Sequence, residues 1–295
     1  MELRMQQKKK SADRRKLLFF GVIAIFAIVT AGIFITSQKN SNTGTSEPTP
    51  TTLPTPTPTE DPYITLNETP QTEGGHFFEK TPVIGGQQAY VAYPMRVNKY
   101  SPPQIIIYSH GSNTTVTTDF DDEFMQNMRG YGDFFTKEGY VFAASAMHGA
   151  NWGNQASVDD MKKLADWISE QYSTQDKINL LAHSMGGLST LKFGFQHSSI
   201  VNKIALLAPT SYANTYKQAD FDKLTTIDVI IWHGDKDVNV PWSMSNQLVN
   251  RAKSLGKTIT FHTLSGKGHW DVDTELKQEI LDFYSGVGDS IESAE

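Results

Sequence analysis

The sequence predicts an α/β fold, a mostly parallel sheet flanked by helices. Two observations carry this. Continuous apolar runs, "IIIY" from Ile105, "IALL" from Ile204 and "VIIW" from Val229, have the composition of strands buried on both faces. Amphipathic segments separate several of these runs, as at Val158–Glu170, where Met161, Leu164, Ala165 and Ile168 recur at helical spacing. Strand, helix, strand in repetition builds a parallel sheet covered on both sides. The strand candidates in chain order are Ala89–Tyr93, Gln104–Ser109, Tyr140–Ala144, Ile178–Ala182, Lys203–Leu207, Ile227–Trp232 and Ile259–Leu264. No internal repeat and no second linker interrupts them, so a single domain is expected over residues 76–288, with a short tail at 289–295.

The chain before this domain reads differently. Residues 1–16 form a basic tail that includes Arg4, Lys8, Lys9, Lys10, Arg14, Arg15 and Lys16. Leu17–Ile35 then runs without a charge, and about 19 residues at roughly 1.5 Å each give about 28 Å of helix, enough to cross a bilayer. A basic flank holds the N-terminus in the cytoplasm and sends the C-terminal side of the span outside. The expectation is a single-pass membrane protein of a Gram-positive-like cell with its C-terminal domain extracellular, touching the membrane through this helix. A cleavable signal peptide cut near Val29-Thr30-Ala31 is a second reading, but the apolar run continues to Ile35, which suits an uncleaved anchor better. A buried core helix is a third, and the basic flank speaks against it.

Residues 36–75 are polar and rich in Thr and Pro, most clearly in "TSEPTPTTLPTPTPTEDP" from Thr45. Alternate prolines remove backbone donors and hold the chain near polyproline II, so a disordered stalk is expected. Spacing from the cell surface is its first reading, and O-linked sugars on its threonines a second.

Composition excludes several functions. There is no cysteine, hence no disulfide, thiolate metal site or cysteine lipidation. The chain carries 26 basic and 32 acidic residues, and the basic tail takes seven of the former and two of the latter. What remains is strongly acidic, which argues against binding nucleic acid or anionic lipid through the domain surface.

Functional loops of an open parallel sheet collect at the carboxyl ends of its strands. The stretch "NLLAHSMGG", Asn179 to Gly187, ends a strand candidate in a serine among small residues. Ser184 in that position could simply cap the next helix. A serine held in a sharp strand-to-helix turn would instead need small neighbours two residues on either side, and Ala182 and Gly186 supply them while Gly187 lets the helix pack closely. "AHSMGG" resembles the nucleophile elbow of the α/β-hydrolase superfamily. Its usual form is G-x-S-x-G; Ala182 departs from it as in small lipases of bacilli.

The resemblance extends to three further segments. "IIIYSHGSN", from Ile105, is similar to the strand that leads to the oxyanion hole, which implies the Ser112 amide as one donor and the Met185 amide as the other. "VIIWHGDKDVNVP", from Val229, resembles the family's H-G-x-x-D-x-x-V-P segment through His233, Gly234, Asp237, Val240 and Pro241. That register implies Asp237 as the catalytic acid; Asp235 is the competing carboxylate. A metal reading of His233, Asp235 and Asp237 is the other alternative, although no second histidine cluster completes a coordination sphere. "LSGKGHWD", from Leu264, presents His269 ahead of a helix expected at Val272–Tyr284, and the order Ser184, Asp237, His269 is the one the superfamily uses.

The resemblance therefore implies a serine hydrolase that cleaves carboxylic esters through an acyl-enzyme, with no metal and no cofactor, acting on a small-molecule, lipid or polymer ester. Peptidase or acyltransferase activity on cell-envelope material and a non-catalytic surface binding module are the alternatives. His110 and His183 are read as packing residues beside the site. The loop Ser145–Gln155 is read either as structural or as lining the pocket through His148 or Trp152. Only about eighteen residues, Pro209–Thr226, stand where many members insert a cap, so no large cap domain and a fairly open site are expected.

Overall fold

The computed structural model describes residues 60–70 and 75–287. The basic tail, the apolar segment 17–35 and most of the linker lie outside the described residues, as does 289–295. Among the described residues no helix is long and apolar enough to cross a membrane.

The strands, in chain order, are β1 (Tyr63–Thr65), β2 (Phe77–Lys80), β3 (Val83–Ile84), β4 (Gln87–Pro94), β5 (Arg96–Asn98), β6 (Ile105–Ser109), β7 (Val141–Ser145), β8 (Ile178–His183), β9 (Val201–Leu207), β10 (Asp228–Gly234) and β11 (Thr260–Leu264). The helices are α1 (Glu123–Lys137), α2 (Gln155–Gln171), α3 (Gly186–Gln196), α4 (Gln218–Lys223), α5 (Trp242–Ser254) and α6 (Lys277–Ser285). The main sheet runs β11-β10-β9-β8-β6-β7-β4-β2, with β3 paired to β4. From β7 to β11 along this order every pairing is parallel, whereas β4 pairs antiparallel with both β7 and β2. The expected α/β architecture of a mostly parallel sheet flanked by helices is therefore present.

Burial follows the strand composition. β6, β7 and β8 are buried along their whole length. Their alternate residues feed two separate cores: Ile105, Ile107 and Leu180 pack on one face with α2, and Ile106, Tyr108 and Leu181 on the other with α1 and α6. Each fully buried aliphatic side chain in such a core contributes roughly 1.5–3 kcal/mol relative to exposure.

Three departures from the expected elements have identifiable causes. Tyr63–Thr65 form a strand inside the segment read as linker, paired with β5 and fastened by an Arg96–Asp61 ion pair, so ordered structure begins before residue 75. The C-terminal helix starts at Lys277, five residues later than expected, because His269–Asp271 form a 3-10 turn and Asp273 is tied to the hydroxyls of Tyr108 and Tyr131. Helix α1 has no clean apolar period in the sequence, since Gly130 and Gly132 interrupt its apolar face. Gly132 is required there: a Cβ would stand 2.7 Å from that of Ala92 in β4.

Residues 209–226 hold two 3-10 turns and the short α4, anchored by buried Phe221. No large cap is formed by these described residues.

Candidate active site

The site begins with a backbone constraint. Ser184 follows β8 at φ +56°, a left-handed conformation that costs a non-glycine residue of order 1–3 kcal/mol and persists only when the surroundings impose it. They do. Its amide donates to Leu207 O at 3.0 Å, and its carbonyl accepts from Gly187 N at 3.0 Å and Thr210 N at 2.8 Å. The turn packs so tightly that a Cβ at Gly186 would lie 2.1 Å from Ser109 O, and one at Gly187 would lie 2.7 Å from Pro209 Cβ. Only glycine fits at either position, which accounts for the small residues after the serine.

The turn aims the hydroxyl at His269, buried in the 3-10 turn after β11. His269 Nε2 lies 2.9 Å from Ser184 Oγ and Nδ1 lies 2.7 Å from Asp237 Oδ2. One tautomer satisfies both contacts, with Nδ1–H donating to the carboxylate and Nε2 accepting from the serine. Burial, reinforced by nearby His183, lowers the His269 pKa from its ordinary value, so the imidazole is an unprotonated base at neutral pH.

The Asp237 side chain is fully buried and held by four contacts. Its Oδ1 accepts from Asn239 N at 2.9 Å and Val240 N at 2.8 Å, while Oδ2 faces His269 Nδ1 and, at 3.1 Å, His233 Nε2. His233 Nε2 also faces Val240 O at 2.9 Å, so that nitrogen carries the proton, and Nδ1 accepts from the Ser245 hydroxyl at 2.7 Å. Burial lowers the pKa of His233 and keeps the ring neutral. Nε2 thus faces the acid while Ser245 holds the ring at Nδ1, and Asp235 turns away, its Oδ1 accepting from Gly266 N at 2.8 Å. Of the two carboxylates, Asp237 is the one the structure places on His269.

Gly234 allows this convergence. A Cβ there would stand 2.1 Å from Lys267 O, so the acid loop and the histidine loop approach as closely as backbone permits, and Lys236 N donates to the same carbonyl at 2.9 Å. The histidine loop is held from its other side by Tyr108, whose hydroxyl donates to Asp273 Oδ1 at 2.8 Å. His183 Nε2 lies 3.2 Å from His269 O, a packing role as expected. His110 faces Gly111 O and Ala146 O, bracing the loop that carries Ser112.

Gly111 runs beside the nucleophile, where a Cβ would lie 3.9 Å from Ser184 Oγ. Ser112 follows it and lines the cleft with Ser184. Met185 begins the turn into α3, where backbone amides have no acceptor within the helix. Among the described residues no protein group accepts from the Ser112 or Met185 amide. The cleft, about 230 Å³, is completed by Trp152, Tyr212, Met244, Val240 and Trp270. Trp152 thus lines it, whereas His148 turns to Asp160, 2.7 Å from Nδ1. Tyr212, Met244 and Trp270 line the pocket without a role in any motif, and the position of Trp270 next to His269 is the available signal for one of them.

Comparison with known proteins agrees with this fold. The family described as serine aminopeptidase, S33, matches residues 143–226, which include β8, the serine turn and α3. No curated protein matches the sequence. Among solved structures, Est1E from Butyrivibrio proteoclasticus superposes with TM-score 0.52 at 18% identity, over 70% of this chain and 97% of that one. An S-formylglutathione hydrolase from Staphylococcus aureus gives 0.55 at 15% identity, over 70% and 94%. A puromycin-hydrolyzing peptidase from Mycobacterium tuberculosis gives 0.52 at 16% identity, over 65% of this chain but only 36% of its own length. The chain has the α/β-hydrolase fold, and the solved structures that share it include a ferulic acid esterase and a puromycin-hydrolyzing peptidase.

Proposed function

We propose that the protein is a serine hydrolase that cleaves carboxylic esters through an acyl-enzyme intermediate, with Ser184 as nucleophile, His269 as base and Asp237 as the acid that orients it. The observation that carries this is the unbroken line of contacts Ser184–His269–Asp237 beside two unengaged backbone amides. A serine hydroxyl is scarcely ionised at neutral pH and attacks a carbonyl only as a base removes its proton. His269 takes that proton and returns it to the leaving oxygen; Asp237 holds the Nδ1–H tautomer and stabilises the imidazolium. The Ser112 and Met185 amides stabilise the oxyanion, and loss of one such donor typically costs about 100- to 1,000-fold in rate. Water then attacks the acyl-enzyme by the same route, and neither metal nor cofactor enters.

Ester cleavage is the first reading because the "AHSMGG" turn resembles that of small lipases of bacilli; no carboxylate lies among the described residues lining the Ser184 cleft itself, but Asp122, Glu123 and Asp273 line the groove beside it and could meet a free α-ammonium group. The match to an aminopeptidase family keeps peptide cleavage as the second reading. Kinetics on p-nitrophenyl acetate and butyrate beside alanine p-nitroanilide decide between them. The esters are expected to show kcat/KM higher by more than about 100-fold, some 2.7 kcal/mol of transition-state energy; equal or preferred anilide cleavage would reverse the assignment.

The domain is further proposed to be displayed outside the membrane, with 17–35 as anchor and 36–59 as spacer, supported by the basic flank and the Thr/Pro-rich composition. Protease added to intact cells should release a folded fragment cut in the spacer. A domain that stays protected inside the cell, or one found free in the medium with Gly32 as its first residue, is incompatible with an anchored display.

A further inference from the structure

The Ser184 cleft opens into a second, larger groove of about 790 Å³, and the two share Ser112, Asn113 and Trp270. Their chemistry differs. The small cleft mixes aromatic, Met and Val side chains with Ser112, Asn113, Thr210 and Asn239, while the groove carries three carboxylates, Asp122, Glu123 and Asp273, among hydroxyl and amide groups such as Thr115, Thr117 and Asn127. No Lys, Arg or His is among the described residues that line it. Around the serine three large aromatics stand half out of the surface: Trp152 is 55% exposed, Tyr212 47% and Trp270 54%. Exposed aromatics gathered at one opening mark a binding surface.

On the ester-hydrolase reading above, we infer that the groove holds the alcohol portion of the ester and that this portion is a neutral glycan, so that the substrate is a small acyl group carried on a sugar hydroxyl. The size difference assigns the sides, the acyl group entering the 230 Å³ cleft and the alcohol the 790 Å³ groove. A sugar ring presents apolar C–H faces and a perimeter of hydroxyls that both donate and accept. Trp270 at the junction offers an apolar face to the first, and the Thr and Asn side chains match the second with groups that also donate and accept, while Glu123 and Asp273 add acceptors. A polyanionic alcohol such as a phosphate polymer meets carboxylates with no cation to offset them, and a long lipid alcohol would leave the groove's hydroxyl, amide and carboxylate groups without partners. In the reaction the Ser184 Oγ–acyl bond forms as the acyl–oxygen bond to the sugar breaks. The serine proton passes through His269 to the sugar oxygen, and water then releases the carboxylic acid from Ser184, leaving an unmodified glycan.

The test uses the full chain with acetylated xylo-oligosaccharides, ethyl acetate and p-nitrophenyl acetate as substrates. The oligosaccharide ester is expected to have a KM at least about tenfold below that of ethyl acetate, deacetylated xylo-oligosaccharide should compete with it, and Asn127→Ala should raise its KM about tenfold through a lost hydrogen bond. A KM no lower than that of ethyl acetate, without competition by the free sugar and unmoved by Asn127→Ala, overturns the glycan assignment; continued p-nitrophenyl acetate hydrolysis in that case leaves the ester-hydrolase reading standing. Loss of all three ester activities in the unmodified chain overturns both.

Discussion

Ser184→Ala is expected to abolish the proposed ester hydrolysis, with kcat falling on the order of a million-fold, as when the nucleophile of a comparable triad is removed. The substitution deletes one hydroxyl that donates to His269 and touches neither the turn's backbone hydrogen bonds nor its close contacts at Gly186. The fold should therefore survive, with an unchanged circular dichroism spectrum. Residual activity above about a hundredth of the original would remove Ser184 from the role of nucleophile.

Asp237→Asn is the second large effect. The amide that replaces Oδ2 or Oδ1 must either present a donor to His269 Nδ1–H and to His233 Nε2–H, or present one to the Asn239 and Val240 amides. Either orientation leaves donors opposed, and the imidazole loses its productive tautomer. A fall in kcat of up to roughly 10,000-fold is expected. Asp235→Asn keeps an oxygen that can accept from Gly266 N, and its effect should stay within a few-fold. Equal losses from the two, or a greater loss from the Asp235 change, would show that the acid has been misplaced while leaving Ser184 in its role. The same enzyme assayed against pH adds a sign. Because burial and His183 lower the His269 pKa, activity should persist below pH 6.5 and decline only as the pH falls through that lowered value.

The parts of this site that are legible in the sequence are those where local backbone geometry dictates residue type. Gly186, Gly187 and Gly234 each meet a neighbouring backbone or side chain that no Cβ can clear, so the glycines in "AHSMGG" and "WHGDKD" are visible signs of how close the loops come. The seven strand candidates correspond to β4 and β6–β11: in β4 and β6–β10 the apolar runs are long enough to be buried, whereas β11 is a largely exposed edge strand. The short β1, β2, β3 and β5 lie in antiparallel pairs and carry too few apolar residues for a pattern. The role of His233 is hidden because it depends on Ser245 and Val240, brought to it only by the turn into α5. The Tyr108–Asp273 tie, 165 residues apart in sequence, has no local signal at all.

The central claim is that Ser184 is an activated nucleophile, and a fluorophosphonate reports on that chemistry alone, since a serine without a base reacts slowly. Incubation of the full chain with a fluorophosphonate followed by peptide mass spectrometry should find one adduct, on Ser184, formed in step with loss of ester hydrolysis and absent from His269→Ala. An intact Ser184 after prolonged exposure, or an adduct on another serine that accounts for the lost activity, would contradict the mechanism.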